Sequence, residues 1–149
     1  EHLFEYKTHM MQNYGAGVQA CYRGPRLYDT PETQAAVTEV IQWYKKYRDI
    51  LNSDMIHLRR PDARDWDGFI HVNPHKKEKG LAMFFNPTHQ EITRTIHIPL
   101  YYTGLTQTAR IREKEQKPVT YKLNRDYTVE LTVKIPANGY TWYVVEAAD

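Results

Sequence analysis

The stretch Tyr127-Thr128-Val129-Glu130-Leu131-Thr132-Val133-Lys134-Ile135-Pro136-Ala137-Asn138-Gly139-Tyr140-Thr141-Trp142-Tyr143-Val144-Val145-Glu146 decides the fold class. Tyr127, Val129, Leu131, Val133 and Ile135 alternate with Thr128, Glu130, Thr132 and Lys134, a period of two that places the apolar side chains on one face of a strand. Tyr140, Trp142 and Val144 alternate in the same way after the Ala137-Asn138-Gly139 turn. The spacing predicts two strands joined as a hairpin over 127–146. Trp142 and Tyr143 are adjacent and must face opposite sides, so one of them is expected to point into a core.

Toward the N-terminus the same reading predicts strands at 68–73, 80–86, 91–98, 106–113 and 118–123. The separators carry turn chemistry: Asn73-Pro74, Asn86-Pro87, Thr103-Gly104 and Asn124-Arg125-Asp126. About seven to eight short strands with this punctuation predict a mainly β chain folded as an antiparallel β-sandwich. Before residue 52 the period changes. Leu3, Phe4, Tyr6, Met10, Met11 and Tyr14 predict a short helix ended by Gly15 and Gly17, with a short extended segment at 17–22 before the Gly24-Pro25 turn. Thr30 can cap a second helix, with Pro31 at its first position and Glu32 at its positive end. Val37, Val40, Ile41, Tyr44, Tyr47 and Leu51 give that helix one apolar stripe. Two units are expected: one or two helices in 1–52, then a sandwich in 53–149.

Composition narrows the function classes. A chain of 149 residues fits one domain, or a small domain with a piece of a neighbour. The 13% aromatic content argues against disorder, and no apolar run approaches the roughly 18 residues of a membrane span. A net charge of +2, with acids interspersed among the bases, does not predict nucleic-acid binding. Cys21 is the only cysteine, which excludes an intrachain disulfide and a cysteine-cluster metal site. The chain starts at Glu1 without a signal peptide, so it is expected to be part of something larger.

Candidate chemistry is sparse. In the ionic stretch 57–68, Asp62, Asp65 and Asp67 lack the spacing of a calcium loop. The stretch reads as a charged linker that pairs its own Arg and Asp residues or docks on a neighbour. His71 and His75 are separated by Pro74 and cannot share a helix face, and with His89 and His97 they read as ordinary strand and loop histidines. No metal site or cofactor is predicted. Cys21 lacks a local base that would make it a nucleophile. Trp66, Tyr101 and Tyr102 are candidate sugar-contact aromatics, and Tyr140, Trp142 and Tyr143 could extend the same platform. Glycoside hydrolysis usually needs two carboxylates flanking one bond. Glu91, Glu113, Glu115, Glu130 and Glu146 show no pattern marking such a pair, so no catalytic residue is assigned.

Several stretches carry a family resemblance: Tyr22-Arg23-Gly24-Pro25-Arg26-Leu27-Tyr28-Asp29-Thr30-Pro31, Trp43-Tyr44-Lys45-Lys46-Tyr47-Arg48-Asp49-Ile50-Leu51 and His57-Leu58-Arg59-Arg60-Pro61-Asp62. Gly80-Leu81-Ala82-Met83-Phe84-Phe85-Asn86-Pro87 and Gly139-Tyr140-Thr141-Trp142-Tyr143-Val144-Val145-Glu146 continue it. Together they resemble the C-terminal end of bacterial alpha-galactosidase-like (melibiase-like) glycoside hydrolases, in which a (β/α)8 barrel is followed by an all-β domain. The resemblance implies that 1–14 end the penultimate barrel helix, that 17–22 form the eighth strand and that 31–51 form the eighth helix. Barrel active sites lie at the C-terminal ends of the strands. On that geometry Cys21, Tyr22, Arg23 and Arg26 would be substrate-proximal in an intact parent enzyme, while the catalytic carboxylates would come from earlier strands. The implied role is a non-catalytic accessory domain that supports the catalytic barrel, its partner, in a periplasmic or extracellular enzyme. Two alternatives stand beside it: a carbohydrate-binding module using exposed aromatics, and a structural fragment that forms homodimers through 1–51.

Overall fold

The computed structural model describes residues 3–17 and 30–148. Helices α1 (Leu3–Gly15) and α2 (Pro31–Leu51) precede strands β1 (Asp54–Arg59), β2 (Asp67–Val72), β3 (Gly80–Phe85), β4 (Ile92–Pro99), β5 (Thr108–Glu113), β6 (Val119–Lys122), β7 (Thr128–Ile135) and β8 (Tyr140–Glu146). A 3₁₀ turn, Tyr101–Thr103, follows β4. Every strand pair is antiparallel. Six strands form a large sheet in the order β1-β2-β3-β8-β5-β6, and β4 and β7 form a small one. The chain is a mainly β antiparallel sandwich preceded by helices. No described helix is long and apolar enough to cross a membrane.

Burial patterns explain the layering. Along β7 the burial alternates strictly, with Val129, Leu131, Val133 and Ile135 inward and Glu130, Thr132 and Lys134 in solvent. In β3 all six residues are buried, and β8 is buried from Thr141 to Val145. Strands buried on both faces need a cover on each side. On one side Ile70, Val72, Ala82, Phe84, Tyr143 and Val145 meet the inward residues of β4 and β7. On the other Phe69, Leu81, Met83, Phe85, Trp142 and Val144 meet Met10 and Met11 of α1 and the stripe of α2. The described residues form three layers: helices, large sheet and small sheet.

This layering corrects the expected hairpin. β7 pairs with β4 from Ile92↔Ile135 to Pro99↔Thr128, whereas β8 lies between β3 and β5. The Pro136–Gly139 segment carries the chain from one sheet to the other, with Asn138 at φ 51°, a conformation Asn tolerates. Polar Glu130, Thr132 and Lys134 require an outward face for β7. The doubly apolar β8 is satisfied only in the middle of the large sheet. Tyr127, expected to open the strand, stands before it at φ 62°.

A second difference lies at β1, which occupies the start of the ionic stretch. Ile56 and Leu58 are partly buried against the inter-sheet core, and β1 pairs with β2 as an edge strand. Beyond it Arg59 pairs with Asp62 through two contacts of 3.2 and 2.9 Å. Asp62 also accepts from the backbone nitrogens of Arg64 and Asp65, and the Arg59 guanidinium, with these amides, holds its carboxyl well below the ordinary carboxylate range.

The Phe85-Asn86-Pro87 element ties the sheets together. Asn86 is 2% exposed, and its amide nitrogen donates to the carbonyls of Gln90, Ile135 and Pro136 at 2.7, 3.2 and 3.1 Å. Its oxygen accepts from the Thr88 nitrogen at 2.9 Å and from Thr88 Oγ1 at 2.7 Å. Asn86→Asp would face three carbonyls with a carboxylate and no donor. The expected loss is about 3 kcal/mol, since a stranded buried acceptor costs roughly 1–3 kcal/mol and a charge costs more. Urea unfolding checks it, and an unchanged midpoint would refute the role given to this amide.

Candidate functional site: the helix-covered face of the large sheet

The helices are fastened to the sheet at several points. Thr30 Oγ1 accepts from the Thr33 nitrogen at 3.1 Å and starts α2 at Pro31. Val40, Tyr47, Ile50 and Leu51 of that helix are each 1% exposed. Trp142 receives Trp43 and Tyr47 edge-on, with ring centroids 5.7 and 5.2 Å away. Helix α1 joins this core through Met10 and Met11, and Lys7 bridges to Glu39 of α2 at 2.7 Å.

At the end of α1, His71 of β2 is 1% exposed and stands between two backbone carbonyls. One ring nitrogen contacts the oxygen of Gly15, and Nδ1 lies 3.2 Å from that of Ser53. The histidine therefore joins the last turn of α1 to the α2–β1 connection. Gly15 is closely packed there, since a Cβ would lie 2.2 Å from Met83 Sδ. Gly17, at φ 76°, turns the chain away beside the end of α2. The described residues thus reach Gly17 beside this clamp and resume at the Thr30 cap of α2.

Beside α2, the Tyr47 hydroxyl donates to the Glu115 carboxylate and accepts from an Arg112 guanidinium nitrogen at 3.1 Å. Lys46 pairs with Glu115 at 2.8 Å and Arg112 with Glu146 at 2.7 Å. Burial pushes the Tyr47 phenol up, and the Glu115 carboxylate adds to the shift. Burial opposes ionisation of Glu115, but Lys46 and the Tyr47 hydroxyl outweigh it and hold that carboxyl below its ordinary value. Each of the other glutamates singled out in the sequence meets a donor of its own chain. Glu113 accepts from Thr141 Oγ1 at 2.7 Å, Glu91 meets Lys134 at 3.5 Å, and Glu130 meets His97 at 3.6 Å. Among the described residues no three His, Cys, Asp or Glu converge on a metal geometry.

Cys21, Tyr22, Arg23 and Arg26 lie outside the described residues, as does the extended segment expected at 17–22 apart from Gly17, which stands in a turn. The three candidate sugar-contact aromatics are not brought together. Trp66 is half-buried, edge-on to Phe84 at 5.9 Å and under the Arg59 guanidinium at 6.0 Å. Tyr101 and Tyr102 are 61% and 62% exposed, but their rings stand perpendicular to each other. They follow the far end of β4 from Arg94, which pairs with Asp65 beside Trp66, so about 20 Å of strand separates the two places. Trp142 and Tyr143 do face opposite sides, and both are buried, one in each core. The His71 clamp was missed by sequence reasoning, although a histidine inside the apolar run Phe69-Ile70-His71-Val72 was the available signal.

Two buried tyrosines, Tyr47 and Tyr143, and the half-buried Tyr140 link this packing to pH. Burial pushes Tyr140 up to about 12, and it also raises Tyr143 and Tyr47. Raised folded values mean that the folded state holds these protons more tightly. Their contribution is intact below about pH 10 and is lost as pH climbs through the folded values, at up to about 1.4 kcal/mol per pH unit for each tyrosine. Ultraviolet titration is expected to show these tyrosines ionising only with unfolding, and full phenolate titration with unchanged circular dichroism would contradict it.

No protein-family profile matches the sequence, and no curated protein is similar to it in sequence. Solved structures do match it in fold. A GH27 β-L-arabinopyranosidase from Geobacillus stearothermophilus is similar over 98% of this chain and 31% of its own, at 12% identity and a TM-score of 0.63. Alpha-galactosidase I from Mortierella vinacea is similar over 96% and 35%, at 14% identity and 0.63. An alpha-amylase from Geobacillus thermoleovorans is similar over 100% and 34%, at 13% identity and 0.64. The chain thus spans about a third of the length of these enzymes. At such identities the likeness is one of fold, and the fold is that of a part of alpha-galactosidase-like glycoside hydrolases, the class that the sequence resembles.

Proposed function

We propose that this chain is a non-catalytic accessory part of a glycoside hydrolase, with 1–52 closing a (β/α)8 barrel and 53–149 forming a C-terminal sandwich that supports it. The observation that carries this reading is the single core shared by the helices and the sheet, in which Met10, Met11, Tyr47, Ile50 and Leu51 are at most 2% exposed. A module on a flexible tether would not bury its connecting helices so completely. In sequence, 18–29 is flanked by the segment held at the His71 clamp and by the Thr30 cap, so the sandwich would set the position of a barrel strand placed there. Cys21, Tyr22, Arg23 and Arg26 would then approach the sugar, and the catalytic carboxylates would lie in the rest of the parent enzyme. Such an enzyme would act outside the cytoplasm, in the periplasm or extracellular medium.

Kinetics test the reading. The chain alone is expected to turn over nitrophenyl α-galactoside, β-L-arabinopyranoside and α-glucoside no faster than buffer. In the parent enzyme Arg23→Ala or Arg26→Ala should raise KM or lower kcat without moving the thermal midpoint. Trp142→Ala should cost about 3–5 kcal/mol of stability, as for other buried aromatics. Turnover by the chain alone would overturn the proposal.

The exposed Tyr101 and Tyr102 favour a second reading as a carbohydrate-binding module. Retardation of the chain in polysaccharide-containing gels, abolished by Tyr101→Ala and Tyr102→Ala, would support that reading over the first. A homodimer through 1–51 would use the exposed Leu3 and Phe4, and light scattering at high concentration distinguishes it from a monomer.

A further inference from the structure

Two clefts run together where α1 crosses the end of the large sheet near β1, β2 and β3. One, of about 220 Å³, opens between α1 and the Asn86–Asn138 corner. The other, of about 340 Å³, opens between α1 and Arg59. Gln12, Asp67 and Phe85 line both. Asp67, the first residue of β2, is half-buried, and among the described residues its carboxylate makes no ion pair or hydrogen bond. Burial pushes its carboxyl up, against the pull of Arg59. A partly desolvated carboxylate without a partner is costly, and one at the junction of two clefts is placed to recover hydrogen bonds from a ligand.

The surroundings select the ligand's chemistry. Arg59 and His57 line the second cleft and disfavour a cation, while Asp67 disfavours an anion. A metal ion would need further carboxylates or histidines than converge here. What fits is a neutral molecule with several hydroxyls and an apolar face. Hydroxyls make strong charge-assisted hydrogen bonds to a carboxylate, the Gln12 amide can donate and accept, and the Phe69 and Phe85 rings supply an apolar floor. We propose that the joined cleft between α1 and β2 is a saccharide-binding site, with Asp67 accepting ligand hydroxyls and Gln12 bonding a neighbouring one. The residues that line it all belong to this chain. It is also distinct from the Tyr101–Tyr102 turn at the opposite end of β4.

Amide chemical-shift titration of the whole chain tests the proposal, with D-galactose, L-arabinose and maltose as probes and methylguanidinium and inorganic phosphate as charged comparators. At least one sugar is expected to bind in the millimolar range, with shifts centred on Gln12, Gly68 and Phe69. Asp67→Asn and Gln12→Ala, each with an unchanged thermal midpoint, should weaken that binding about tenfold or more. Tyr101→Ala with Tyr102→Ala should leave it unchanged. No sugar-dependent shift up to about 50 mM, shifts confined to the Tyr101–Tyr102 turn, or tighter binding of methylguanidinium than of every sugar would overturn the proposal. Because the readout is binding without turnover, these results stand apart from the kinetic test of the accessory role.

Discussion

A β-sheet that is apolar on both faces must be covered twice, and the rest of this molecule follows from that demand. β3 and β8 sit at the centre of the six-stranded sheet and carry apolar side chains on both sides. Two strands alone cover one side, because β4 and β7 together supply enough inward Ile, Val and Leu side chains for it. The second side falls to the helices. Their stripe makes the second core apolar like the first, so α1 and α2 are integral to the fold.

Apolar layers set which surfaces meet, and a few buried polar atoms set how they meet. Helix-to-sheet packing by Met, Val and Leu allows sliding, whereas His71 contacts the Gly15 carbonyl at the end of α1 and the Ser53 carbonyl after α2. The Tyr47 hydroxyl fixes α2 against the β5 end through Arg112 and Glu115. Asn86 does the same between the sheets. Each of these groups would cost more if left unpaired than it contributes when paired, so each penalises displaced arrangements more than it stabilises the native one.

The layered fold was legible in the sequence to the extent that burial follows local period. α2 announced itself through Thr30, Pro31 and its stripe, and β7 through strict alternation. Strand pairing was not legible, because period reports which faces are buried and carries nothing about which strand lies alongside. The hairpin expected at 127–146 failed for this reason. Val144 and Val145, adjacent and both apolar, already marked β8 as covered on two sides, while β7 tolerates solvent on one. β1 was hidden by its charges, since an edge strand of six residues can carry Asp54, His57 and Arg59 and still bury Ile56 and Leu58 partly. Of the candidate site, Trp66, Tyr101 and Tyr102 were read from the sequence as possible sugar-contact aromatics. Their separation by a strand's length is a three-dimensional fact that spacing along the chain does not encode.

Structural likeness carries the architecture further than it carries the chemistry. An arabinopyranosidase, an alpha-galactosidase and an alpha-amylase match this chain about equally well, so the shared shape does not choose among their substrates. What is particular to this chain lies in side chains that the fold does not require. Tyr47, Glu115 and Arg112 satisfy one another, and Asn86 is saturated by backbone groups, which leaves them nothing to offer a ligand. Asp67 differs. The β2–β3 pairing needs only its backbone, opposite Phe85, so an apolar or amide side chain there would serve the sheet at lower desolvation cost. The fold leaves this carboxylate without a partner among the described residues, and the proposed saccharide site in the cleft beside α1 is built on it.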